Sequence, residues 1–134
     1  MKTLMVLIFG IFVIFTAVAQ EASDVSSGPE ITFQEDRFAF GDIHQGDIVE
    51  HVFTFENTGN EVLIITNVQT TCGCTAPEWP RDPVAPGQTG DIRVVFNSTG
   101  KMGRQNKVIT VISNASNPRS QVAIETNILP QNVE

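Results

Sequence analysis

Residues 48–56, Ile48-Val49-Glu50-His51-Val52-Phe53-Thr54-Phe55-Glu56, alternate with a period of two. Val49, His51, Phe53 and Phe55 fall on one face, and Glu50, Thr54 and Glu56 on the other. A helix, with its period of 3.6, would scatter these apolar residues around its circumference, so the run predicts a β-strand with one side buried. His44-Gln45-Gly46-Asp47 turns the chain before it. Asn57-Thr58-Gly59-Asn60 turns it afterwards and is rich in residues that tolerate positive φ.

The same signals recur in both directions. Ile31-Thr32-Phe33 and Arg37-Phe38-Ala39-Phe40-Gly41-Asp42-Ile43 read as a first strand, broken near Glu35-Asp36 and ended by Gly41-Asp42. Val62 to Val68 reads as a third, and Ile92, Val94 and Phe96 mark a fourth. Ile109 and Val111 mark another within Lys107–Ser113, and Val122, Ile124, Thr126 and Ile128 the last. Pro77, Pro80, Pro83 and Pro86 deny residues 77–90 the ladder donors of a central strand, which predicts a surface excursion there. No segment after residue 20 has a helical period. About seven short strands with regular turn signals predict an antiparallel β-sandwich over residues 30–130. Phe38, Phe40, Phe53, Phe55 and Phe96 would fill its core with the aliphatic residues, at ~1.5–3 kcal/mol for each large side chain buried.

The N-terminus has Lys2, an apolar run from Leu4 to Val18, and Ala17-Val18-Ala19 before Gln20. That layout predicts a secretory signal peptide over residues 1–19, and the run falls short of the ~20 apolar residues of a spanning helix. No cysteine follows it, which argues against a lipid anchor. Residues 20–29 are polar and predict a flexible leader. Loss of Lys2 takes the balance from 8 basic against 15 acidic residues to 7 against 15, a net charge of −8. Such a surface repels nucleic acid and anionic lipid. The expectation is a periplasmic or secreted protein, without membrane insertion after cleavage.

Both cysteines lie in Thr71-Cys72-Gly73-Cys74-Thr75, ahead of Ala76-Pro77-Glu78-Trp79-Pro80. Two residues apart on an extended chain the thiols share a face, and Gly73 lets the backbone fold tightly between them. They are candidates for packing as small hydrophobes, for a disulfide or thiol exchange with a partner, and for holding copper or half a zinc site. A zinc site would need His44, His51 or Met102. A disulfide closing three residues constrains the unfolded chain by only ~1.6 kcal/mol, so stapling the fold is a poor reason for one.

Several fragments together resemble one family: Phe38-Ala39-Phe40-Gly41-Asp42-Ile43, Phe53-Thr54-Phe55-Glu56-Asn57-Thr58-Gly59, Thr71-Cys72-Gly73-Cys74-Thr75, Ala85-Pro86-Gly87 and Ser113-Asn114-Ala115. Their order and spacing are similar to the bacterial secreted family called domain of unknown function fifteen seventy-three. The resemblance implies an immunoglobulin-like domain, related in shape to major-sperm-protein and cilium-associated modules and frequent in the Bacteroidetes. It implies no activity.

Nothing ties a serine or a carboxylate to His44 or His51 in a hydrolytic constellation, and no phosphate loop is present. Asn97-Ser98-Thr99 and Asn114-Ala115-Ser116 fit the glycosylation sequon but read as turn residues. His51, in register with Phe53 and Phe55, reads as a histidine satisfied at the core edge. The expectation is a non-catalytic binding or structural module of the cell envelope, with no cofactor and an unidentified protein or envelope component as partner. Recognition would use the loop carrying Thr71, Gly73, Thr75 and Trp79, or a free sheet edge. The rival expectation is a periplasmic thiol protein that uses Cys72 and Cys74 for redox exchange or copper binding.

Overall fold

The computed structural model describes residues 27–131, so the expected signal peptide and residues 20–26 of the expected leader lie outside the described residues. Eight strands form two four-stranded sheets. In order they are β1 (Ile31–Phe33), β2 (Arg37–His44), β3 (Ile48–Asn57), β4 (Ile65–Thr70), β5 (Thr75–Glu78), β6 (Thr89–Asn97), β7 (Gly103–Ser113) and β8 (Arg119–Leu129). One sheet runs β1-β3-β6-β5 and the other β2-β8-β7-β4. All pairings are antiparallel except β2 with β8.

The inner faces meet as the alternation requires. Phe53, Phe55, Ile92, Val94 and Phe96 of the first sheet are fully buried against Ile109, Val111, Val122, Ile124 and Ile128 of the second. The break near Glu35-Asp36 is where the chain leaves one sheet for the other, so the expected first strand is two. Phe38 and Phe40 are only partly buried and pack at the margin. There His51 stacks on Phe38 with centroids 3.6 Å apart, lies edge-on to Phe53, and donates from Nε2 to the Glu35 carboxylate. That hydrogen bond accounts for a polar ring in an apolar register.

Gly41-Asp42 does not end the strand. A bulge between Ala39 and Asp42, with Gly41 at a φ of 75°, lets β2 continue to His44. Residues 62–64, expected as strand, precede β4. The Asn114 side chain accepts from Ile64 N at 2.7 Å and donates to Val62 O at 3.1 Å, and Leu63 forms one bridge with Val84.

The Asn57–Asn60 turn contains no positive φ, contrary to expectation. Its residues were selected for other reasons. Asn57 is fully buried. Its side chain donates to Glu61 O (2.7 Å) and Val84 O (2.9 Å) and accepts from Gly59 N (3.1 Å) and Glu30 N (3.4 Å). Its backbone N–H donates to Gln88 O, and its carbonyl accepts from Gly87 N. Gly59 is glycine because a Cβ there would overlap the carbonyl oxygen of Gly28. Gly28 and Pro29, expected in the leader, are buried, and Gly28 N donates to Asn60 Oδ1 at 2.7 Å. The ordered fold therefore begins earlier than the composition of residues 20–29 suggests.

Asn57→Ala removes four side-chain hydrogen bonds at once, leaves Glu30 N, Gly59 N and Glu61 O without these partners, and is expected to cost about 3 kcal/mol. Urea unfolding measures it, and a loss below about 1 kcal/mol would mean that these bonds are not needed.

Candidate functional site

Residues 71–74 form the corner at which the chain passes from β4 in one sheet to β5 in the other. Thr71 closes the end of β4: its N–H donates to Val108 O at 3.2 Å and its hydroxyl accepts from Val108 N at 3.3 Å. The Thr70 hydroxyl donates to Cys72 O at 2.9 Å, and Thr75 N donates to the same oxygen at 3.4 Å. The chain doubles back sharply, and Cys72 and Cys74 are joined by a disulfide with their Cα atoms 5.3 Å apart. In this state the pair offers no thiolate to copper or zinc. Among the described residues no three histidine, cysteine or acidic side chains are grouped to hold a metal ion, so His44 and His51 do not complete a site here.

Thr75 is 5% exposed, and its hydroxyl lies 3.7 Å from Cys72 Sγ and 4.0 Å from Cys74 Sγ. Neither sulfur of a disulfide carries a proton, so the Thr75 O–H is the group with a proton to give. Gly73 is exposed, has no positive φ, and an added Cβ would meet nothing within 4 Å. The corner therefore does not require glycine on steric grounds, contrary to the expectation that Gly73 serves tight folding.

A shallow recess of about 490 Å³ opens beside the disulfide, lined by Ile48, Gly73, Cys74, Ala76, Val95 and Lys101, with Asn97 and Thr99 at its rim. Ile48 is 65% exposed and supplies an apolar wall. Sequence reasoning missed Ile48 and Lys101, because they reach Cys74 only through the pairing of β3 and β5 with β6. A second recess of about 440 Å³ on the outer face of the other sheet is polar, lined by Gly41, Asp42, Arg104 and Glu125 among others. Within it Asn127 donates to Asp42 at 2.9 Å, and Glu125 is paired with Arg37 from outside the lining.

Trp79 does not stand free as a binding anchor. Its ring is partly buried against the core, Arg81 covers it at 3.8 Å, and the indole Nε1 is buried without a partner. The proline-rich excursion is likewise tied down, through Val84 to Leu63 and through Gly87 and Gln88 to Asn57. Its first two residues, Pro77 and Glu78, belong to an edge strand, β5, where only a surface loop was expected.

That edge is closed to strand addition. Cys74 O accepts from Asn97 N at 3.0 Å, so residues 74, 76 and 78 bond to β6, while Thr75 and Pro77 turn their backbone outward. Thr75 N–H is spent on Cys72 O, and Pro77 has none. On neighbouring β4, Asn67 Oδ1 occupies the Val68 N–H at 2.9 Å. A partner at this corner must therefore contact a face, not extend a sheet.

The face beside the recess carries a charged ladder. Arg93 of β6 donates to Glu50 of β3 (2.6 Å) and to Glu78 of β5 (3.0 Å). The Glu50 carboxyl is held below its ordinary value of 4.5 by the hydrogen bond from Arg93, and the guanidinium is pushed higher still by both carboxylates.

The sequence pattern of the family described as Protein of unknown function (DUF1573) matches residues 31–128, which is every strand except Leu129. The chain belongs to this family. No curated protein matches it. A crystal structure of a protein of unknown function from Porphyromonas gingivalis W83 is similar in fold, with 15% identity and a TM-score of 0.66 over 81% of this chain and 51% of the other. The Vibrio cholerae VesB protease shares 13% identity with a TM-score of 0.62 over 73% of this chain and 32% of its own. The PapD-like domain 7 of human CEP192 shares 10%, with a TM-score of 0.54 over 78% of this chain and 86% of that domain. This chain thus spans about half and about a third of the first two. At these identities the likeness shows the fold, an all-β sandwich of immunoglobulin-like or PapD-like form. Two of the fragments on which the resemblance was read, Phe53–Gly59 and Ser113-Asn114-Ala115, contain the buried Asn57 and the Asn114 clamp on residues 62–64.

Two outcomes test the site's surroundings. Pro77→Thr restores an outward N–H to β5 and is expected to promote self-association, seen as a concentration-dependent mass in sedimentation. Arg93→Met is expected to lower stability slightly at pH 7, by less as the pH falls below 4.5. A depressed Glu50 pKa favours the folded state above the unfolded carboxyl value, and that contribution is lost as pH falls through the folded value, below 4.5. Equal urea midpoints for the two proteins at pH 7 would remove the ladder from the account.

Proposed function

We propose that this DUF1573 chain is an exported, non-catalytic binding module of the bacterial cell envelope, and that its contact surface is the recess beside the Cys72–Cys74 corner. The observation that carries the reading is the composition of that recess. An apolar wall of Ile48, Ala76 and Val95 stands beside Lys101 in a chain whose formal net charge is −7. A mostly exposed isoleucine next to a cation favours a polypeptide segment with one apolar anchor and an acidic neighbour. The closed edge at β5 supports engagement by side chains. Export is supported by the pattern of residues 1–19.

The test is made in cells expressing the tagged full chain. The mature protein, cleaved before Gln20, is expected in the periplasm or medium. A photo-crosslinking residue at position 48 is expected to capture one discrete envelope component, whereas one at Arg104 on the other sheet does not, and Lys101→Glu abolishes the capture. Cytoplasmic retention, or the same adducts from both positions, would overturn the reading.

A further inference from the structure

We propose that the Cys72–Cys74 disulfide is a thiol-exchange site, whose substrate is a partner polypeptide presenting two neighbouring cysteine thiols. The inference goes beyond binding at the recess and rests on three features of the corner. Cys74 lines the recess and is half-buried at the margin of the core, so the disulfide borders the surface at which a partner would dock. Gly73 has no steric duty in the fold, yet lines the same recess. A side chain at this exposed position of the recess would narrow the approach to the two flanking cysteines, an account of the glycine that folding does not give. Thr75, buried to 5%, aims the one available hydroxyl at both sulfurs and lies nearer Cys72.

These positions assign the steps. A partner thiolate attacks Cys74 Sγ from the recess, and a new sulfur–sulfur bond forms there. The Cys72–Cys74 bond breaks, and its electron pair leaves on Cys72 Sγ as a thiolate. The Thr75 hydroxyl donates to that thiolate, an interaction stronger than any it makes with the neutral disulfide. The partner's second thiolate then attacks the mixed disulfide and expels Cys74. The partner loses two electrons and two protons to become a disulfide, and Cys72 and Cys74 gain them as two thiols. The reverse sequence delivers a disulfide to a reduced partner. Each direction needs only the two reactants. The small loop favours exchange, because opening a three-residue ring returns little chain entropy and leaves the sandwich intact.

The experiment uses the purified mature chain, reduced glutathione at millimolar concentration as the thiol, rapid alkylation, and intact and peptide mass analysis. The glutathione adduct is expected on Cys74, followed by the dithiol, with the thermal unfolding midpoint nearly unchanged. Gly73→Val and Thr75→Val are each expected to slow reduction by about tenfold, and Thr75→Ser to restore the rate lost in Thr75→Val. Circular dichroism of each variant separates slow exchange from failed folding, and reduction in urea gives the rate without the fold. An adduct on Cys72, reduction only in urea, or equal rates in folded Gly73→Val and Thr75→Val would overturn the proposal. Because glutathione replaces the partner, failure here leaves the crosslinking result at Ile48 standing, and the converse also holds.

Discussion

One buried amide ties three separate stretches of backbone together at one end of this sandwich. Asn57 sits at the end of the central strand β3, with no contact to water, where an unpaired amide or carbonyl is costly. Its side-chain donors and acceptors are all spent on backbone outside the eight strands: the entry to β1 at Glu30, the turn at Gly59 and Glu61, and the return of the excursion at Val84. A single side chain thereby stands in for several ladder bonds. Asn114 does the same for residues 62–64, and Asn117 does so at the outer edge of β1, where it both accepts from and donates to Ile31. Asparagine suits this task because its amide duplicates the peptide's donor and acceptor on a short stem.

The opposite problem, how to leave a sheet edge without inviting another chain, is solved at the cysteine corner. β4 and β5 end their respective sheets on the same side, and the turn between them uses Thr70, Cys72 and Thr75 to consume its own polar groups. Pro77 removes the next donor. What is left outward is the face of β3, β6 and β5, where Ile48, Val95 and Ala76 alternate with the Glu50–Arg93–Glu78 ladder. The protection of the edge and the presentation of a surface are two results of one local geometry.

Much of the fold was legible along the chain. Period-two alternation in residues 48–56 and 92–96 placed Phe53, Phe55, Ile92, Val94 and Phe96 inside, and all are buried. Local patterning sufficed there because the inner face of a sandwich has one environment for the whole strand. The errors fell where a residue serves a neighbour distant in sequence. Gly41 read as a stop but makes a bulge, since β8 runs beside it and Thr126 donates to its carbonyl. Gly59 read as a turn former, but is needed because Gly28 packs against it. Trp79 read either as an exposed anchor or as a cap on the sandwich, and the core margin and Arg81 enclose its ring, which is the second of these.

The amino-acid sequence by itself determined the strand-rich class, a sandwich that is antiparallel except for the β2–β8 pairing it did not foresee, the resemblance to the family, and the segment in which any thiol chemistry must lie. Those properties depend on periodicity and on residues within a few positions of one another. The tertiary structure alone decided that Cys72 and Cys74 close a corner between two sheets, that Thr75 faces both sulfurs, and that Ile48 and Lys101 stand beside them. Such neighbours come together through strand pairing across β3, β6 and β5, and pairing is set by the burial of the whole inner surface at once.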